Sequence, residues 1–80
     1  MENYIFFNHY ILARENVVKG VSCVDKDHDI LRPMYDYEKD KMKLRCPYCD
    51  YTITPGLKLY EKMSAEVKEH IDFLLENKRF

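Results

Sequence analysis

Four side chains with soft-metal chemistry stand in two short pairs, Cys23 with His28 and Cys46 with Cys49, in the pattern C-x4-H-x17-C-x2-C. Thiolate sulfur and imidazole nitrogen are favoured zinc ligands. A structural zinc takes four ligands at tetrahedral corners, commonly from two closely spaced pairs on two turns. Short spacing puts both ligands of a pair on one turn. The segment between the pairs must then run out and back, as a β-hairpin does. The pattern predicts one structural Zn2+ held by Cys23, His28, Cys46 and Cys49. His9 and His70 are the rival fourth ligands, and local spacing favours His28. Iron is the rival metal, although a histidine in the set suits zinc better than a four-thiolate iron site. The alternative for all three cysteines is burial as small hydrophobes. The C-x2-C pair, in a chain short enough to need a staple, argues against that.

The second pair reads Cys46-Pro47-Tyr48-Cys49, which is similar to the redox motif of glutaredoxins. In that family the motif lies near the N-terminus and opens a helix whose dipole makes the first thiol acidic. Here 45 residues precede it, only 31 follow Cys49, and the next stretch, DYTIT, is β-prone. A thiol-redox role is therefore rejected in favour of a metal and kept as a second alternative. Residues 23–49, about a third of the chain, resemble a zinc ribbon, in which two knuckles clamp one ion with a hairpin between them. The Cys46-Pro-x-Cys49 half matches that pattern, whereas the C-x4-H half is longer than the usual C-x2-C. The resemblance implies a structural zinc and a small β unit built around it.

Other chemistry finds little support. Asp25, Asp27 and Asp29 imitate the start of a calcium loop, but Ile30 and Asp36 stand where the loop needs Gly and Glu. They read as a solvated acidic turn beside the first knuckle. There is no nucleophile elbow, phosphate-binding glycine loop or HExxH pattern. Four protein ligands would also close the metal to substrate. No enzyme activity and no small-molecule substrate are expected.

The elements that must position the four ligands give a small α+β domain: an antiparallel β unit with a zinc-ribbon core and a C-terminal amphipathic helix. Residues 1–22 read as an N-terminal β extension, 23–54 as the ribbon and 55–78 as the helix. In the first part NYIFF, HYILA and NVVKGVS look like short strands, with a turn near Arg14-Glu15-Asn16. A short helix over 8–14 is the alternative, because periodicity does not separate short apolar runs. ILRPMYDY and KMKLRC read as two paired strands. Lys39, Lys41, Lys43 and Arg45 alternate with Asp40, Met42, Leu44 and Cys46, so the basic residues share one face. Thr54-Pro55 reads as N-cap and first helical position. From there Leu57, Tyr60, Val67, Ile71 and Leu74 form an apolar row, with Ser64 in the same line. Ser64 could instead start a second helix.

Composition bounds the rest. Eighty residues make one domain with a marginal core. The odd count of three cysteines, with no basic leader before the apolar N-terminal stretch, points to a reducing, cytoplasmic setting. A membrane span is not expected. Enrichment in Phe, Tyr, Met, Ile, Asn and Lys suits an AT-rich genome, such as that of a virus or bacteriophage; the setting would then be host cytoplasm. The net charge of −1 gives no global pull towards nucleic acid, and zinc bound by three thiolates makes it more negative. The basic strand face, with Tyr35 and Tyr37 on the facing strand, could still track a phosphate backbone. A second helical row, Leu59, Met63, His70 and Phe73, offers more apolar surface than a small ribbon covers. It predicts a protein partner or a homodimer, unless the N-terminal aromatics cover it. The expected function is a structural-zinc adaptor module whose partner surface is Leu59, Met63 and Phe73. The first alternative is a nucleic-acid-binding zinc ribbon.

Overall fold

The computed structural model describes residues 3–25 and 27–77. Lys78, the expected end of the C-terminal helix, lies outside them, as do the first two residues. The fold is α+β, with the order α1 (Asn3–Arg14), β1 (Arg32–Asp36), β2 (Lys41–Arg45), β3 (Thr52–Ile53), α2 (Leu57–Glu69) and α3 (Ile71–Asn77). The strands form an antiparallel sheet in the order β1-β2-β3.

The N-terminal strands expected over NYIFF and HYILA are replaced by α1. Its buried residues are Ile5, Phe6, His9, Leu12 and Ala13. Their spacing places them on one side of a helix, whereas in a strand Ile5 and Phe6 would face opposite ways. The expected turn at Arg14–Asn16 is the helix stop. Asn16 takes φ 61°. The Asn16 N–H donates to the Ala13 carbonyl (3.1 Å) and the Val17 N–H to the Leu12 carbonyl (2.9 Å). That pair of bonds is a Schellman stop, with asparagine in the left-handed position. Residues 17–22 then run as a loop instead of the expected third strand, pairing only through an isolated Ser22–Ile30 bridge. Gly20 lets this loop pass close to its neighbours. A Cβ there would lie 2.8 Å from Ile30 Cγ2 and 3.1 Å from the Ala13 Cβ.

The β1–β2 hairpin forms where expected. Asp36 turns it, its carboxylate accepting the Glu38 (3.1 Å) and Lys39 (3.3 Å) N–H groups. Lys39 therefore lies in the turn and outside β2. Met42 and Leu44 are buried, while Lys41, Lys43 and Arg45 face outward. Tyr35 is the cross-strand partner of Met42 and shares its core-facing side. It stands on the opposite face from the basic residues, contrary to the expected interleaving.

The C-terminal segment departs from expectation at its start and at its internal break. Pro55 is buried in the connection from β3, and Gly56, in extended conformation, is the N-cap of α2. Ser64 lies inside α2, and the break comes at His70 instead. Its backbone N–H donates to the Glu66 and Val67 carbonyls, and its Nδ1 lies 3.0 Å from the Glu66 carbonyl. The buried face runs between the two expected rows. Met63, Val67 and Leu74 are in the core, Leu59, Tyr60 and Phe73 pack on it, and Leu57 and Ile71 are exposed. The expected partner surface of Leu59, Met63 and Phe73 is thus turned inward, with Met63 only 3% exposed. The reason is α1, which packs on α2 and touches β1. Phe6, fully buried, meets Tyr60 at a ring distance of 5.8 Å.

Candidate metal centre

Each pair of candidate ligands sits on a loop closed at its base by antiparallel pairing. The first loop, which carries Cys23 and His28, is closed by the Ser22–Ile30 bridge and by the Leu31 N–H bonding to the Val21 carbonyl at 2.8 Å. Within it the His28 N–H bonds to the Asp25 carbonyl at 3.1 Å, which folds the histidine back over Cys23. The second loop links β2 to β3, where Leu44 pairs with Ile53 and Arg45 with Thr52. There the Cys46 N–H bonds to the Tyr51 carbonyl at 2.9 Å, and the Tyr48 N–H points at the Cys46 sulfur at 3.4 Å. Pro47 helps preset this turn by fixing its own φ. Arg14, at the end of α1, reaches Asp29 at 2.6 Å and so ties the first loop to the helix. Arg45 spans the second loop to Asp50 at 3.0 Å.

The hairpin between the loops brings the four groups together. One ligand atom from each of Cys23, His28, Cys46 and Cys49 can be chosen so that all lie within 4.8 Å of one another. His28 Nδ1 is 3.5 Å from the Cys23 sulfur and 3.5 Å from the Cys46 sulfur, and the Cys23 and Cys49 sulfurs are 3.6 Å apart. A tetrahedral ion with zinc-type bond lengths separates a sulfur from a nitrogen by roughly 3.6 Å and two sulfurs by roughly 3.8 Å. The chain therefore presents a Cys3His group positioned for one metal ion, with Nδ1 as the histidine's ligand atom. Cys23 and Cys46 are buried, and Cys49 is half-buried.

The electrostatics of the group separate its thiols. Burial pushes the Cys46 thiol up, but the Tyr48 N–H aimed at its sulfur, together with Cys49 and Cys23, outweighs that and brings it down to about 7. For Cys49 a backbone bond at Tyr51 pulls the thiol down; burial and the Cys46 and Cys23 sulfurs overcome it, and the thiol is raised. Protein groups alone thus favour thiolate at Cys46 and oppose it at Cys49.

The other expected residues fall elsewhere. His9 is buried in α1, with its Nε2 3.1 Å from Glu66 of α2. His70 caps α2. Neither joins the thiols. Lys41, Lys43 and Arg45 share the outer sheet face with Arg32, but Lys43 lies 3.9 Å from Asp36 and Arg45 pairs with Asp50. Asp25 stands out differently from the solvated acid that the sequence implies. One of its oxygens lies 3.6 Å from His28 Nε2, on the side of the ring away from the thiols. Its position three residues before the histidine is the signal that it could reach the ring.

No protein-family model matches the chain, and searches of curated proteins and of solved structures find no significant match. The case for a metal rests on the four side chains themselves.

Proposed function

We propose that the chain is a structural-zinc protein, in which one ion clamps two loops and a hairpin into a platform for binding another protein. The observation that carries this reading is the S···N and S···S spacing of the Cys3His group, which fits a tetrahedral zinc. Three thiolates and one imidazole suit zinc better than iron or a hard cation. Four protein ligands complete its coordination, so the ion holds structure and leaves no position for substrate. Function then falls to the surface. Among the described residues no helix is long and apolar enough to cross a membrane. Exposed apolar side chains remain on α1 (Tyr4, Phe7), on the second loop (Tyr48) and on α3 (Ile71, Leu75), and these support a protein-docking role.

The nucleic-acid alternative keeps one specific support, the row of Arg32, Lys41, Lys43 and Arg45 on the outer sheet face. Asp36 and Asp50 offset part of that charge. The two readings separate by salt. Binding through phosphates weakens steeply as salt rises, because counterions are released on contact. The docking reading expects no salt-sensitive binding to a generic oligonucleotide, and little effect of Lys41→Glu with Lys43→Glu on the protein's contacts. Submicromolar oligonucleotide binding, lost in that double variant while the zinc is retained, would reverse the order of the two readings.

A further inference from the structure

We propose that Asp25 is a positioning residue for the metal, orienting His28 by accepting a hydrogen bond from its Nε2. The inference rests on the zinc reading above. A neutral imidazole carries its proton on one nitrogen and binds metal through the other, and the partner of the protonated nitrogen sets which is which. Here the two nitrogens face different surroundings. Nδ1 is 3.5 Å from both the Cys23 and Cys46 sulfurs, whereas Nε2 is 3.6 Å from Asp25 Oδ2.

The carboxylate is itself held. Asp25 Oδ1 accepts the Asp27 N–H at 3.0 Å, and the Asp25 backbone carbonyl accepts the His28 N–H at 3.1 Å. One oxygen is thus fixed by the turn while the other faces the ring. The Tyr48 ring, 5.7 Å from the imidazole and inclined to it by 40°, flanks it from the second loop. The remaining gap is just beyond hydrogen-bonding range, and a closure of about half an ångström brings Nε2–H onto Oδ2. Binding of Nδ1 to the ion fixes the proton on Nε2, so metal uptake and closure reinforce each other. A carboxylate behind a metal-bound histidine raises the ligand's basicity and fixes its ring, and losing such a partner commonly costs about 10–100-fold in metal affinity. Asp25 is about half exposed, which places the expected loss near the lower figure.

The test measures Zn2+ affinity by chelator competition, alongside nitrogen NMR of the His28 ring, for the wild-type chain, Asp25→Ala, Asp25→Asn and Asp27→Ala. Asp25→Ala is expected to weaken zinc about tenfold and to speed exchange of the Nε2 proton with water. Asp25→Asn keeps an oxygen acceptor and the turn, so it should recover most of the affinity. Asp27→Ala removes a neighbouring charge but leaves the backbone N–H in place, and should change neither readout. Equal affinity and an equally protected Nε2 proton in wild type and Asp25→Ala would overturn the role of Asp25 alone. A metal-bound Nε2 in the wild type would overturn it too. Should Asp25→Ala not fold, Asp25→Asn decides: loss as large as complete removal of the His28 ligand would show a folding role and contradict the positioning one. A wild-type chain that takes up no zinc would remove the zinc reading, and this inference with it.

Discussion

At the scale of single residues, metal retention should depend on four side chains, Cys23, His28, Cys46 and Cys49. Each Cys→Ser change at 23, 46 or 49 should abolish stable metal retention, read as metal content after gel filtration. His28→Ala should weaken it strongly, whereas His9→Ala and His70→Ala should leave it intact, because those histidines serve Glu66 and the end of α2. The thiols also set a pH dependence. In the metal-free folded chain Cys46 lies near 7, below the ordinary thiol value of 9.0. A depressed acid stabilises the fold above its unfolded value, and that contribution fades as pH falls through the folded one. Thiolate absorbance of the metal-free chain should therefore begin to rise around neutral pH, and Cys46→Ser should remove that first step. Cys49, raised by burial and its neighbours, should titrate above Cys46. The clustering of these four side chains is legible in the sequence because the spacing within each pair is local. Asp25 is legible only as a side chain within reach of the ring, because its role depends on which ring nitrogen the fold turns towards the thiols.

At the scale of elements, the parts differ in how plainly the sequence announces them. β2 is legible because one sheet face is buried and the other is charged, so Met42 and Leu44 alternate with lysines. Helix α1 is obscured because Tyr4 and Phe7 stay exposed while Ile5 and Phe6 are buried. Apolar types on both sides hide the helical period. The break at His70 carries no glycine or proline to mark it. The stop of α1 can be tested directly. Asn16→Val should cost about 1–2 kcal/mol, since a β-branched residue is strained in the left-handed region, and Asn16→Gly should be neutral or better. Urea denaturation of the metal-loaded chain reads both. The inward turn of the C-terminal segment has its own check. Met63→Ala should destabilise by about 2–5 kcal/mol, while Leu57→Ala, at a position 62% exposed, should change little.

At the scale of the whole molecule, the structural-zinc reading has the ion and the core divide the work of holding the fold. A core of this size supplies only about 3–5 kcal/mol, whereas a structural zinc can contribute about 10–16 kcal/mol of binding free energy. The core cluster includes Cys23 and Cys46 themselves, so the metal loops and the α1–α2 packing share one interior. Removing the metal should therefore loosen the helices as well as the loops. A strong chelator should lower the thermal transition of the whole domain while leaving a folded population, and added Zn2+ should restore it. The measurement that bears most directly on the central claim is elemental analysis of the purified chain combined with native mass spectrometry, which gives the metal, its stoichiometry and the oligomeric state together. One zinc per chain is expected, lost in each cysteine variant. A chain purified under reducing, chelator-free conditions that carries no metal, takes up none when Zn2+ is added and melts at the same temperature with and without it would contradict the account.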